Sequence, residues 1–207
     1  MRGQLAHAGL MMIPGLSFLA LDPANTNPSI TLSNENRTML HPSSAGNNQA
    51  SYSSVGKSSG KWYFEVLIDA GIAGGTSAYV GIARLDVGVD TAAGTPPSSG
   101  NYLVYRTNRQ VFSTGVSFLG SLGVNWAVGD IIMVALDANN GRVWVGQNGT
   151  FNGNPAAGTG QIFTLPTGQP LFAHLTAESG NAGQKMTFRS IASDQTYAAP
   201  SGFLSWA

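Results

Sequence analysis

No part of this chain keeps a helical hydrophobic period for longer than a turn or two, whereas short runs with period two, divided by Gly-, Asn- and Pro-rich turns, recur along it. Successive strand side chains point to opposite faces, so a half-buried strand must alternate, and the pattern predicts an all-β fold. The clearest run is Lys61 to Asp69, with Trp62, Phe64, Val66 and Ile68 on one face and Tyr63, Glu65, Leu67 and Asp69 on the other. The Trp62 face is expected in the core. Ile131 to Leu136 is instead apolar throughout, as expected of a central strand covered on both sides. The turn signal Asp137-Ala138-Asn139-Asn140-Gly141 follows it and leads into Arg142 to Gly146, which predicts a hairpin.

Shorter strands are expected at Ser29 to Leu32 and Thr38 to Leu40, about the turn Ser33-Asn34-Glu35-Asn36, and at Tyr79 to Arg84, Leu171 to Thr176 and Lys185 to Arg189. Asn101 to Arg106 and Gln110 to Ser113 read as a hairpin around Thr107-Asn108-Arg109. Polar Ser43 to Ser54 reads as a loop or weak edge strand, and His41, just before Pro42, as loop. Asp86 to Gly100 is expected to be a long exposed loop and Asn152 to Gly160 a second polar one. Recognition tends to sit on such loops when a rigid scaffold carries them. No fixed-period repeat is visible, and 207 residues suit one all-β domain.

Apolar residues, at 43%, supply a continuous core, while charged residues at 10% fall far below the roughly 25% of ordinary soluble chains. Ten acidic side chains balance ten basic ones, so no net field gathers phosphates or anionic lipid, and nucleic acid is not an expected partner. With no cysteine there are no disulfides, thiolate metal sites or cysteine nucleophiles. Leu5 to Leu21 is apolar, but Gly9, Pro14 and Gly15 break it, and a spanning helix needs about 20 predominantly apolar residues. Arg2 alone is also a weak basic start for an export signal. Membrane insertion is therefore not expected. Residues 1–20 read as an arm whose Leu10, Met11, Met12, Ile13, Leu16 and Phe18 dock on a larger assembly, with residues 21–207 as the domain.

The landmarks also come in a telling order. Lys61-Trp62-Tyr63-Phe64-Glu65-Val66, Tyr79-Val80-Gly81-Ile82-Ala83, and the run from Gly129-Asp130 through Ile131 to Asp137 are followed by Gly141 to Gly149 with its terminal Asn148-Gly149. Pro170-Leu171-Phe172-Ala173 and Met186-Thr187-Phe188 complete the series. In this order they resemble the SPRY (B30.2-like) family over roughly Asp22 to Trp206. The resemblance implies a two-sheet antiparallel β-sandwich of the concanavalin A-like kind, with partner-binding loops at one edge, a protein-interaction role and no shared catalytic residues. Asn152 to Gly160 is longer and more polar than that family's pattern, and the partner modules of its eukaryotic signalling and ubiquitin-ligase members are missing.

Stand-alone domains of this type with Gly- and Asn-rich loops look like those on bacteriophage tails, fibres or heads. The expectation is thus a virion protein, assembled in the host cytoplasm as a homo-oligomer. It would contact other virion proteins through the arm and a host cell-surface glycan or protein through its loops, as a tail-fibre, receptor-binding or decoration protein. The alternatives are a polysaccharide-degrading enzyme on a concanavalin-like sandwich and an intracellular interaction module.

Catalytic motifs find little support in the sequence. Of three histidines, His7 lies in the arm, His41 in a predicted loop and His174 in a predicted strand, where a hydrogen-bonded structural role is expected. No Gly-x-Ser-x-Gly elbow is present. Glycoside hydrolysis needs two convergent carboxylates, for which Glu65, Asp69, Asp137 and Glu178 are the candidates. Their spacing is not a paired-acid motif, and Glu65 is expected to accept hydrogen bonds within the fold. Scattered acids and the lack of paired histidines leave no metal set, Gly71 to Gly75 lacks a phosphate loop's Lys, and no cofactor is expected. Asn36-Arg37-Thr38 and Asn148-Gly149-Thr150 match glycosylation acceptors only formally.

The strongest binding signal is aromatic. Tyr102, Tyr105 and Trp126 stand near predicted loops with Arg106, Asn108 and Arg109 close by, and Tyr and Arg are enriched at interface hot spots. Trp62 and Trp144, in the strongest strand motifs, are assigned to packing.

Overall fold

A computed structural model of the chain describes residues 20–42, 48–72, 78–91, 102–113, 116–121, 123–178 and 182–207. Its strands, in chain order, are β1 (Leu21–Thr26), β2 (Thr31–Ser33), β3 (Thr38–His41), β4 (Asn48–Ser53), β5 (Lys61–Ala70), β6 (Ala78–Ala83), β7 (Asp90–Thr91), β8 (Tyr102–Arg106) and β9 (Gln110–Ser113). There follow β10 (Val116–Ser121), β11 (Ile131–Asp137), β12 (Arg142–Gln147), β13 (Thr150–Phe151), β14 (Phe163–Thr164), β15 (Phe172–Ala177), β16 (Gln184–Arg189) and β17 (Leu204–Ser205). The described helix amounts to two 3-10 turns, Leu85–Val87 and Ala192–Asp194.

Two sheets form a sandwich, as the resemblance implied. The first runs β1-β4-β15-β6-β8-β9-β10, with β7 beside β4; the second runs β13-β12-β11-β5-β16-β3-β2, with β14 on β12 and β17 on β5. Every described pairing is antiparallel except β17 with β5, which is parallel through Leu204–Trp62 and Ser205–Tyr63. The β8–β9 and β11–β12 hairpins form where the turn residues predicted them. At the first bend Asn34, Glu35 and Asn36 all take φ between 53° and 62°, a left-handed run that Asn tolerates and that splits β2 from β3.

The alternation of β5 explains the core. Phe64, Val66 and Ile68 face inward with Ile132, Val134 and Leu136 of β11, and pack between the sheets with Val80 and Ile82 of β6 and Ala173, Leu175 and Ala177 of β15. Each fully buried Val, Leu, Ile or Phe contributes about 1.5–3 kcal/mol relative to exposure. Phe64 meets Phe188 at 5.3 Å and Trp206 at 5.2 Å edge to face, a geometry that aromatic quadrupoles favour. Trp62, at the strand's end, is only half-buried; its indole N–H donates to the Ser59 carbonyl at 2.6 Å, and the Lys57 ammonium lies 3.7 Å over its ring.

Several expectations are corrected. Asn48–Ser53 is no loop or edge but a wholly buried strand between β1 and β15. Its polar groups are satisfied by neighbours distant in sequence: Ser51 Oγ lies 2.6 Å from Thr26 Oγ1, and Ser53 Oγ accepts from the Ala173 amide at 3.0 Å. His41 is the buried last residue of β3 rather than loop. The second face of β5, to which the sequence reading gave no cover, is buried too, with Tyr63 and Glu65 both fully buried there. Asp86 to Gly100 begins as the first 3-10 turn and β7, and residues 92–101 lie outside the described residues. So does the arm with Leu10, Met11, Met12, Ile13, Leu16 and Phe18.

Candidate functional site

Three of the carboxylates considered for acid–base chemistry are bound up in the fold. Glu65 accepts from the Tyr63 hydroxyl and from the backbone amides of Thr196 and Tyr197, each at 2.7 Å, with an Arg189 guanidinium nitrogen 3.9 Å away. This is the internal acceptor role expected of it. Burial first, and then the hydrogen bond to Glu65, push the Tyr63 phenol well above its ordinary range. Asp69 accepts from the Thr187 hydroxyl at 2.7 Å, and Asp137 binds the amide and side chain of Asn140 at 3.3 and 2.8 Å. Glu178 is buried after β15. His174 is fully buried, its Nε2 3.2 Å from the Thr176 hydroxyl and its ring 4.7 Å from that of Tyr52. Burial lowers its pKa to about 3, so the imidazole is neutral at ordinary pH and too weak a base to take up a proton there. Among the described residues no three His, Asp or Glu side chains come together as metal ligands.

A concave site lies instead where the β12–β13 hairpin meets the connection from β10 to β11. Tyr105, Gly123, Val124, Gln147, Asn148, Thr150, Phe151 and Asn152 are among the residues that line a cleft of about 290 Å³. Its geometry follows from one carboxylate at the start of β11. Asp130 accepts from the Ala127 amide and Gln147 Nε2, both at 2.7 Å, and from Asn148 Nδ2 at 2.8 Å. Asn148 is fixed from its other end as well, because its Oδ1 accepts from the Ile131 amide at 2.9 Å. The left-handed Asn148-Gly149 pair, at φ 49° and 86°, then turns the chain into β13.

A carboxylate can only accept, so the Gln147 amide nitrogen must face Asp130 and its carbonyl oxygen must point away. That oxygen is buried on a residue 8% exposed and has no hydrogen-bond partner. Leaving a buried acceptor unmatched costs on the order of 1–3 kcal/mol. A Cβ added to Gly123 would stand 3.2 Å from both Gln147 Oε1 and the Tyr105 hydroxyl. The walls are apolar: Phe151 is half-buried, and Val124 is 65% exposed.

Of the residues proposed from sequence, the structure joins three at this place. Tyr105 borders the cleft, the Trp126 ring packs edge to face against it at 5.1 Å, and Arg109 is near enough to act on its phenol. Burial raises the Tyr105 pKa, while the indole and the guanidinium act the other way. As exposed contact residues, however, Tyr105 and Trp126 are corrected. They are 1% and 5% exposed, because the parity of β8 turns Tyr105 between the sheets and the Trp126 amide is tied to the Thr107 carbonyl at 2.9 Å. Asn108 caps its own turn, its side chain bonded to Gln110, and Arg109 is exposed at the tip with φ 74°. Tyr102 and Arg106 stand in β8 opposite Ala83 and Tyr79, and their side chains lie outside the described residues. The sequence reading missed Gln147, Asp130 and Phe151 as parts of a site. Its one available signal was the Gly129-Asp130 and Asn148-Gly149 pair of turns at adjacent ends of one hairpin.

Comparison with known proteins agrees with this architecture. The family model of the SPRY domain matches residues 61–190. The SPRY domain of human HERC1 superposes with a TM-score of 0.65 at 19% identity, covering 82% of this chain and 97% of that one. A second human SPRY domain gives a TM-score of 0.55 at 18% identity, covering 78% and 94%. Stonustoxin gives 0.54 at 15%, with 82% of this chain lying on 26% of the toxin chain. No curated protein matches the chain by sequence.

Proposed function

The chain belongs to the SPRY domain family, and from that premise we propose that it is a non-enzymatic binding module displayed on a bacteriophage virion, as a tail-fibre, receptor-binding or decoration protein. One observation carries the binding half of this reading. Glu65, Asp69 and Asp137 are consumed as internal acceptors, whereas the described side chains that line the concave edge cleft are uncharged. Such a place holds a partner rather than transforming it. The virion half rests on sequence: charge scarce at 10%, Gly- and Asn-rich turns, and an apolar segment too broken to cross a bilayer.

On this reading residues 1–20 dock on the particle, the sandwich faces outward as one copy of a homo-oligomer, and its rim meets a host glycan or protein. Attachment draws on burial of the arm's apolar surface, at about 25 cal/mol for each Å² removed from water. Deleting residues 1–20 should leave a soluble, β-rich protein that fails to join particles. Full occupancy of the truncated protein in purified particles would reject the docking arm. Incubation of the intact protein with host capsule should release no reducing ends; their release by the purified protein would establish the enzyme instead.

A further inference from the structure

We infer that the outer edge of β13 takes up an extended, uncharged peptide segment of a partner protein as one more antiparallel strand of its sheet. The inference rests on the reading of the chain as a binding module and names the partner class and the place of contact. Backbone polarity, the shape on either side of the edge, and charge lead there.

β13 ends its sheet, and among the described residues no strand pairs with its outer side. Its two residues face β12 as Thr150 opposite Gln147 and Phe151 opposite Gly146. Along an antiparallel ladder, pairs that exchange hydrogen bonds alternate with pairs whose N–H and C=O turn away. The Asn152 amide donates to the Val145 carbonyl at 3.0 Å, and Gln147 and Thr150 close the two-residue Asn148-Gly149 turn, so both of these are bonded pairs. Phe151 stands between them. Its N–H and C=O therefore point away from β12, and neither bonds to another described residue. One residue with an outward donor and an outward acceptor suffices to seat an antiparallel strand, because the residue opposite returns both bonds.

The edge is hollow on both faces. Thr150 and Phe151 line the inner cleft of about 290 Å³, walled by Tyr105, Gly123 and Val124, and also an outer groove of about 460 Å³, walled by Pro155, Ala198 and Pro200. Successive strand side chains point to opposite faces, and directly opposed residues share one. The Phe151 ring lies on the outer face, 6.2 Å from that of Tyr63. The peptide residue opposite Phe151 thus sends its side chain to the outer groove, and its neighbours send theirs to the inner cleft. Strand addition draws affinity from such main-chain bonds and selectivity from such alternate pockets. No ionised side chain is among the described residues that line either hollow. A charged side chain entering them would lose water without a counter-charge, so the peptide is uncharged there.

The test selects a random displayed-peptide library against the immobilised full-length protein and titrates the enriched peptides by ¹H–¹⁵N NMR. They should be uncharged where they pair, shift the Phe151 amide downfield and slow its exchange with deuterium. Methylating the peptide nitrogen that faces Phe151 should weaken binding about tenfold, the scale of one lost hydrogen bond. In the protein, Phe151→Pro removes the outward donor and spares the bonds to β12, so it should bind about tenfold more weakly than Phe151→Ala, which keeps that donor. If Phe151→Pro fails to fold, the methylated peptides decide. A library without binders, binders that leave the Phe151 amide unmoved or place charges beside it, equal binding by the two variants, or tolerance of methylation at every nitrogen overturns the inference. A protein that adsorbs to host cells while no peptide engages Phe151 would sink the added strand and leave the binding module standing. Failure of both would sink the two together.

Discussion

The two outer faces of the sandwich are covered by different means. Over β5, β11 and β12 the cover is the 197–203 segment and Phe151, seated on Tyr63, Met133, Ala135 and Trp144. Each buried polar group there is answered: Glu65 by three donors, and the Trp144 indole N–H by the Thr159 carbonyl at 2.9 Å. Over β4, β15 and β6 the cover is the 85–89 segment, with Val87 and Val89 on Tyr52, Tyr79 and Phe172. Its ties include the Tyr52 hydroxyl donating to the Gly88 carbonyl at 2.8 Å and the Ala50 amide donating to the Val89 carbonyl at 3.0 Å. Beside them His174 Nδ1 has no partner. The first cover is a structural seam held by charge-assisted hydrogen bonds; the second is a lighter flap beside an unmet acceptor or donor.

The contrast can be broken most readily at Glu65. Glu65→Ala should cost about 3–5 kcal/mol in chemical denaturation, because it strips a fully buried acceptor from three donors at once. A loss under about 1 kcal/mol would make the seam no stronger than the flap. Acid probes the other face. The His174 pKa is about 3 in the fold through burial and near 6.5 when unfolded, so below about pH 6.5 the unfolded chain binds a proton that the folded chain refuses. Stability should therefore fall as pH drops, at up to about 1.4 kcal/mol per unit, and His174→Gln should flatten that slope between about pH 6.5 and 5, before carboxylates titrate. An equal slope in both proteins would mean that His174 is solvated. The smallest effect sharpens the picture: Tyr52→Phe should cost about 1 kcal/mol and speed amide exchange at Gly88 and Val89 while leaving Thr196 and Tyr197 protected.

Much of this architecture could be read from periodicity. The inward face of β5, the apolar β11 and both hairpins follow from local pattern and turn chemistry. What escaped was non-local. The donors that meet Glu65 belong to a segment more than a hundred residues on that no local pattern points to, and Asn48–Ser53 looks like a loop until Thr26 and Ala173 satisfy its hydroxyls. Tyr105 and Trp126 were drawn to the right neighbourhood by composition, but a strand's parity decides whether an aromatic near a turn faces a partner or the core. The cleft depends on Asp130, Gln147 and Asn148 meeting across a hairpin. No spacing rule marks an acceptor left over from such a network.

The placement of β5 also bears on biosynthesis. Its flanking strands are β11 and β16, so an apolar ribbon made by Ala70 has no sheet partner until Ile131 and then Gln184 are reached. At ~5–20 residues per second of synthesis, the first of those gaps alone lasts roughly 3 to 12 seconds. For that interval Phe64, Val66 and Ile68 have no sheet to pack against, and an unpaired strand of this kind is open to pairing with other chains.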